Sequence, residues 1–195
     1  MMTPAKTSSP RLLLVRHTAV DVSYAGRCYG ATDLDLSQEG HAHVHEVAAE
    51  IAVYKPHRVY HSGLQRTVRL AQAIAQQHSA EKTAVIADTR LAEMNFGEWE
   101  GKSWDAIYAA GHDIARLMHE PETFAAPGGE TAFAMRDRVL AWFEGVPRDG
   151  ITVAVAHGGP IAVLRGVLTG TSPVDWPALM PGLGEIVALD DEQFF

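Results

Sequence analysis

ITVAVAHGGP, residues 151–160, is the stretch that decides the fold class. Five of its first six residues are apolar, and a short apolar run bounded by glycines predicts a strand that is buried on both faces. The double glycine Gly158-Gly159 then leaves the strand, and Pro160 suits the first turn of a helix. A buried strand that leads directly into a helix is typical of an α/β protein with a parallel sheet.

The rest of the chain repeats this alternation of short strands and helices. LLLV, residues 12–15, predicts a second buried strand, which ends at Arg16-His17. Further strands are predicted at 57–61, 84–87 and 185–189, and helices are predicted after Ser37 and Gly158 and at 63–77, 103–118 and 130–145. The pattern predicts one α/β domain over residues 11–195 with an open, mostly parallel sheet. We expect residues 1–10 to form a disordered tail.

Composition limits the kinds of protein that this chain can be. The 195 residues carry a net charge of -8, which argues against a broad basic surface for nucleic acid or anionic membranes. The single Cys28, interpreted as a bystander, rules out an internal disulfide framework and a four-cysteine zinc site. No apolar run is long enough for a signal peptide or a membrane span. We therefore expect a cytoplasmic protein, and the sequence does not say whether it forms a homodimer.

Cationic side chains follow two strands at the edge of the sheet where α/β proteins bind ligands. Arg16 and His17 end the first strand, and His157 follows the strand that precedes the double glycine. Arg66 lies near the start of a helix, where an arginine without a carboxylate partner suits a bidentate contact with phosphate. The free N–H groups of the double glycine would add an anion site at a helix N-terminus. Together these groups predict a phosphate pocket and concentrate positive charge in an acidic chain.

Several segments, in their order along the chain, form a recognisable set of motifs. They are Leu14-Val15-Arg16-His17, Gly30 with Thr32-Asp33-Leu34-Asp35-Leu36-Ser37, Ser62-x-Leu64-x-Arg66, Leu91-x-Glu93-x-x-Phe96-Gly97-x-Trp99-Glu100-Gly101, Pro127-Gly128-Gly129-Glu130 and His157-Gly158-Gly159. These segments resemble the motifs of the histidine phosphatase superfamily, also called the phosphoglycerate mutase-like family. The resemblance implies a three-layer α/β/α sandwich and a phosphomonoesterase that uses neither a metal nor a cofactor and acts on a small phosphomonoester.

The resemblance also implies a role for each residue of the pocket. His17 would be the nucleophile that forms a phosphohistidine, attacking as neutral imidazole because Arg16 and Arg66 disfavour its protonation. Glu93 would act first as general acid and then as general base. Arg16, Arg66 and His157 would bind the phosphoryl oxygens and stabilise charge in the transition state.

The rest of the substrate is expected to contact residues around 23–29, 96–104 and 119–130. The residues predicted to bind it are Ser23, Arg27, Tyr29, Gly30 and Gly158. Thr18-Ala19 stands where the family often has Gly-Glu, and residues 18–21 and 27–33 resemble the α-ribazole phosphatase-type branch. That resemblance implies α-ribazole 5′-phosphate as substrate and a place in cobalamin biosynthesis, whereas the residues themselves do not choose among sugar, nucleotide and ribazole phosphates.

Two other functions remain open at this point. A cofactor-dependent phosphoglycerate mutase would share the pocket, but that branch carries a basic cluster after the acid-bearing motif. Here the segment from 102 to 120 has only Lys102 and Arg116 as fixed cations. A third possibility is a non-catalytic module that binds a phospholigand or a protein. The presence of the nucleophile and the acid together with both arginines argues against it.

Other polar or aromatic features have simpler interpretations. His41 and His45 are one helical turn apart, but no further ligands complete a zinc site, so a solvated helix face is favoured. Glu130 could touch the pocket or complement a helix N-terminus. Trp99 and Trp104 are interpreted as core or as walls of the cleft.

Overall fold

The computed structural model describes residues 11–77 and 83–189. The tail predicted at residues 1–10 lies outside the described residues. Among the helices of the part that is described, none is long and apolar enough to cross a membrane.

A five-stranded sheet forms the centre of the described structure, with the strand order β3-β2-β4-β1-β5. The strands are β1 (Leu12–Arg16), β2 (Arg58–His61), β3 (Ala84–Ala87), β4 (Thr152–Ala156) and β5 (Ile186–Leu189). β1 to β4 are parallel to one another where they pair, and β5 runs antiparallel to β1. The prediction of a mostly parallel sheet is therefore confirmed. In the centre, β1 and β4 pair in a register that places Arg16 opposite Ala156, so the residues that follow both strands meet at one edge.

Six α-helices surround the sheet within the described residues. They are α1 (Gln38–Ala52), α2 (Gln65–Gln76), α3 (Trp104–Ala109), α4 (Arg116–His119), α5 (Ala132–Glu144) and α6 (Gly158–Thr169). Ser37 caps α1 as expected, since its hydroxyl accepts the N–H of Gly40 at 2.9 Å. The single helix predicted at 103–118 is wrong. Gly111 follows α3 with a φ of 84°, a left-handed conformation that ends a helix, and α4 starts only at Arg116.

Alternate residues of the central strands belong to two separate cores. Leu12 and Leu14 of β1 pack in the cluster that includes α5 and α6, whereas Leu13 and Val15 pack in the cluster that includes α1 and α2. All four side chains are buried. Because successive strand residues point to opposite faces, an apolar run in β1 covers both sides of the sheet. The result is the three-layer α/β/α sandwich that the resemblance implies.

Candidate active site

A cavity of about 500 Å³ opens at the sheet edge where β1 ends. Its lining includes Arg16, His17, Glu93 and Gly159. His157 lies directly behind His17, with the two ring centres 5.1 Å apart and the rings in a tilted, edge-on arrangement. The structure thus brings together the residues for which the resemblance implies phosphate chemistry.

His17 is held as a neutral imidazole. Its Nδ1 lies 2.7 Å from the carbonyl oxygen of Thr18. A carbonyl can only accept, so Nδ1 carries the proton and Nε2 keeps its lone pair. The pKa of His17 is lowered from 6.5 to about 3, chiefly by burial and to a smaller extent by Arg66 and Arg16, while the hydrogen bond to Thr18 acts in the opposite direction. The sequence predicted the effect of the arginines but revealed neither the larger effect of burial nor the orienting carbonyl.

Arg66 is a fully buried arginine held by neutral acceptors. Its two terminal nitrogens donate to the carbonyl oxygens of Gly30 at 2.6 Å and Thr32 at 2.7 Å, and its Nε donates to Nδ1 of His157 at 3.2 Å. These three hydrogen bonds fix the guanidinium and use only three of its five N–H groups. Arg66 has no carboxylate partner among the described residues, as expected, but it lies behind the residues that line the cavity, and its contact with a phosphoryl group stays a prediction.

His157 belongs to a chain of hydrogen bonds that runs in one direction. Because its Nδ1 accepts from Arg66, its Nε2 carries the ring proton and donates to the hydroxyl of Ser62 at 2.8 Å. The hydroxyl of Ser62 donates in turn to Thr67, which donates to the carbonyl of Leu64. Burial keeps the pKa of His157 well below its usual value, with smaller contributions from His17 and Arg66. Both ring nitrogens thus have protein partners, and the binding of a phosphoryl oxygen by His157 stays a prediction.

Arg16 lines the cavity and carries one buried donor without a partner among the described residues. One terminal nitrogen donates to the carbonyl of Pro181 at 2.8 Å, while the buried Nε has no hydrogen-bond partner among the described residues. A buried donor without a partner is costly unless a ligand completes it. Gly158 leaves room for this guanidinium, because a Cβ there would lie 3.3 Å from Cζ of Arg16. Arg16 therefore fits an anion next to His17.

Glu93 occupies the N-terminus of α6. One carboxylate oxygen accepts the N–H of Met94 at 2.9 Å, and the other accepts the N–H of Gly159 at 3.2 Å. The sequence predicted that the N–H groups of the double glycine are free to bind a phosphate. That expectation is wrong for Gly159, because the carboxylate of Glu93 is the anion that this helix end holds.

A partly buried ion pair fixes the loop that carries Glu93. Glu130 and Arg138 form a bidentate pair with distances of 2.7 and 3.0 Å. Arg138 also donates to the carbonyl oxygens of Arg90 and Ala92 at 2.7 Å and of Glu93 at 3.2 Å. Glu130 therefore acts on the pocket through Arg138, and the sequence left this contact open.

Glu100 fixes the opposite loop, which holds Arg66. Its carboxylate accepts the N–H groups of Ala31 at 2.8 Å and Thr32 at 2.6 Å, that of Phe96 at 3.1 Å, and the hydroxyl of Thr32. The carbonyl groups of this loop are the acceptors for Arg66. Glu100 is part of a sequence motif, but a carboxylate in a loop gives no sign of which amides it will bind.

The structure brings some, but not all, of the residues predicted to bind the rest of the substrate to the cavity. Arg27, Tyr29 and Gly30 line the cavity, and the guanidinium of Arg66 lies 5.7 Å from the ring centre of Tyr29. Gly158 is placed behind Arg16. Ser23 is not brought to the site: it lines neither this cavity nor the neighbouring one of about 980 Å³, and its carbonyl accepts Nε of Arg27 at 3.0 Å.

The simpler interpretations of other residues fit the structure. Trp99 is buried in the core, and Trp104 lines the cavity. Burial raises the pKa of the Cys28 thiol to about 12, which makes it a poor nucleophile. His41 lies 3.6 Å from a carboxylate oxygen of Asp35. No group of three or more potential metal ligands occurs among the described residues.

Comparison with known proteins identifies the family. The profile of the Histidine phosphatase superfamily (branch 1) matches residues 12–193. The chain belongs to this superfamily. It is a phosphoric monoester hydrolase of the histidine phosphatase type.

Relatives of this histidine phosphatase include several named phosphatases. It is 30% identical over 182 residues to a glucosyl-3-phosphoglycerate phosphatase of Mycobacterium tuberculosis, with 87% of this chain and 79% of the relative covered. It is 29% identical over 164 residues to phosphoserine phosphatase 1 of Hydrogenobacter thermophilus, with 82% and 76% covered. A solved structure of the mycobacterial glucosyl-3-phosphoglycerate phosphatase with VO3 has a TM-score of 0.75 and 27% identity, covering 91% of this chain and 90% of that chain.

Proposed function

We propose that this histidine phosphatase hydrolyses a small phosphorylated metabolite through a phosphohistidine on His17, without a metal ion. The observation that supports it best is the geometry of His17, which is buried, neutral and oriented by the carbonyl of Thr18. A nucleophilic imidazole must be unprotonated, and a ring whose Nδ1 is already engaged can attack only through Nε2. Arg16 and Glu93 line the same cavity and supply charge and a proton.

In the first step, the lone pair of Nε2 of His17 attacks phosphorus, and the bond from phosphorus to the leaving oxygen breaks. Glu93 in its acid form gives its proton to that oxygen, so the alcohol leaves neutral. Arg16 and Arg66 stabilise the negative charge on the phosphoryl oxygens in the transition state. In the second step, Glu93 as carboxylate takes a proton from water, whose oxygen attacks phosphorus. The bond to Nε2 breaks, and both side chains return to their starting states.

The leaving group of the natural substrate is the finer part of the proposal. α-Ribazole 5′-phosphate is the candidate that the resemblance of residues 18–21 and 27–33 supports. The names of the relatives support glucosyl-3-phosphoglycerate and phosphoserine as further members of a substrate panel. All three are phosphomonoesters, so the same chemistry at His17 serves each of them.

The mechanism is tested with the purified full chain and this substrate panel in the presence of EDTA. We expect turnover that the chelator does not change and a trapped, acid-labile phosphoenzyme. His17→Ala should lose more than about 10³-fold in kcat, whereas the control His41→Ala, on the exposed face of α1, should keep wild-type activity. Retained turnover in His17→Ala would refute the proposal.

The same assay separates the two other functions. A mutase would pass the phosphoryl group to a second phosphoglycerate instead of releasing inorganic phosphate to water. A non-catalytic module would bind vanadate, an analogue of the transferred phosphoryl group, and turn over no member of the panel. Either result would replace the proposal.

A further inference from the structure

The part of the cavity beyond the phosphate residues is a predominantly apolar chamber. Its walls are made by Phe96, Trp104, Ile114, Met118, Met135 and Met180. The rings of Phe96 and Trp104 pack edge to face with centres 5.6 Å apart, which fixes one wall. The other wall is formed by α4, the end of α3 and the loop near Met180. We define these six residues as the apolar chamber.

The charged groups that line the cavity lie beside the phosphate residues or are partly engaged. Arg16 and Glu93 face the phosphate side of the cavity. Arg27 is exposed, and its Nε and one terminal nitrogen donate to the carbonyl oxygens of Ser23 and Gly101. A leaving group rich in hydroxyls or carboxylates would give up water in the chamber, whose six residues offer only the indole N–H of Trp104 as a partner. Other polar groups, on Arg27, Tyr29 and Tyr108, line the same cavity outside the chamber. An apolar leaving group would only gain from burial in the chamber.

We propose that the chamber selects phosphomonoesters whose leaving group carries a large alkyl or aryl part. This inference rests on the proposed function, because it assigns the leaving group of the same reaction. The volume of about 500 Å³ accommodates a phosphoryl group together with a chain or ring system of moderate size. Three of the six chamber residues are methionines, whose flexible side chains adapt to different shapes, so the selection is for apolar character and not for one outline. The substrates named for the relatives carry hydroxyl or carboxylate groups, and the chamber favours a different class.

A series of n-alkyl phosphates from ethyl to octyl tests this inference on the full chain. The alcohols of the series differ little in basicity, so the chemical step is matched and chain length is the variable. We expect kcat/KM to rise about threefold to fourfold per methylene until the chamber is filled. We also expect phosphoserine and 3-phosphoglycerate to be poorer substrates than alkyl phosphates of similar size. A flat or falling series would overturn the inference.

Variants locate the effect in the chamber. Ile114→Asn places an amide in the wall and should reduce the increase in kcat/KM per methylene. Met118→Leu keeps the wall apolar and should leave that increase unchanged. The matched control is Val53→Asn, which introduces the same polar group at a position that is 74% exposed at the end of α1. If the increase in kcat/KM per methylene is unchanged in Ile114→Asn, the chamber does not cause the selectivity and the inference is overturned.

A binding measurement separates this inference from the proposed function. n-Alkylphosphonates have a carbon–phosphorus bond that the reaction does not cleave, so calorimetric titration reports affinity without turnover. We expect Kd to fall with chain length by a similar factor per methylene. Tighter binding along the series without hydrolysis of any phosphate would refute the catalytic proposal and keep the chamber. If the alkyl phosphates are hydrolysed but the Kd of the phosphonates does not change with chain length, the catalytic proposal stands and the role of the chamber is refuted.

Discussion

Gly159→Ala should separate catalysis from folding and from phosphate binding. Gly159 lies in the first turn of α6, where an alanine fits the backbone. A Cβ at this position would lie 2.3 Å from Oε1 and 3.3 Å from Cδ of Glu93. Ordinary contacts of this kind are at least about 3.0–3.4 Å, so the carboxylate must move by about 1 Å. The added methyl group therefore displaces the proposed acid and base and leaves His17 in place.

The expected loss in kcat follows from the displacement of the Glu93 carboxylate. Moving a reacting group by about 1 Å costs on the order of 10²-fold in rate, so we expect kcat of Gly159→Ala to fall by about 10²-fold. Stability should change little, because two effects oppose each other. The alanine reduces the entropy of the unfolded chain, which stabilises the fold by about 0.4–1 kcal/mol. The displaced carboxylate weakens its hydrogen bond to the N–H of residue 159, which costs a similar amount.

The assay is steady-state hydrolysis of a phosphomonoester, with vanadate affinity and denaturant unfolding measured on the same samples. We expect vanadate binding within about threefold of wild type, because Arg16 and Arg66 keep their contacts. Gly145→Ala is the control, since a Cβ there meets its nearest neighbour at an ordinary 3.5 Å. Wild-type kcat in a folded Gly159→Ala protein would show that the position of Glu93 does not limit the reaction, and the assigned role would be wrong.

The remaining predictions concern groups that are partly or fully buried. Glu100→Gln should weaken vanadate binding about tenfold and lower the free energy of unfolding by about 2 kcal/mol. The single amide oxygen of glutamine cannot accept from all four donors, so the loop that holds Arg66 loosens. An unchanged affinity for vanadate would contradict this. The pKa of His17 is lowered to about 3, chiefly by burial, so below about pH 6.5 the imidazole takes up a proton in the unfolded chain but not in the folded chain. The free energy of unfolding therefore falls as the pH drops, by about 2 kcal/mol at pH 5 for this group. Denaturant unfolding at pH 7.5 and pH 5 should show that His17→Asn removes this part of the loss and that His41→Asn does not. Cys28 should react with a thiol reagent only at the rate of unfolding, and rapid labelling of the folded protein would contradict its burial.

Local patterns were sufficient to predict most elements of the fold. The strand at 84–87 and the cap of α1 at Ser37 follow from residues that lie next to each other in sequence, and both are confirmed. The segment 103–118 was predicted wrongly because its apolar spacing continues through a glycine. Only the backbone conformation of Gly111 shows that the chain turns there before α4 begins.

The candidate site was predicted as a set of residues but not as a network. The motifs identify His17 and Glu93, because residues at the ends of parallel strands and in the loops above them meet at one edge. The groups that fix them are distant in sequence: Arg138 holds the loop of Glu93, and Glu100 holds the loop that cradles Arg66. Such contacts depend on which loops meet in the folded protein, and a local sequence pattern does not predict which loops meet.

The double glycine shows how the site holds opposite charges at one helix end. Gly158 leaves space for the guanidinium of Arg16, and Gly159 leaves space for the carboxylate of Glu93. The helix N-terminus attracts anions, so an empty terminus would draw the phosphoryl group toward the N–H groups. Because the carboxyl group of Glu93 already accepts the N–H of Gly159, that donor is not free for the phosphoryl group, which is left to the arginines beside His17. The absence of a Cβ at both positions therefore lets the carboxyl group of Glu93 occupy the helix end and leaves the guanidinium of Arg16 free to bind the phosphoryl group of the proposed reaction.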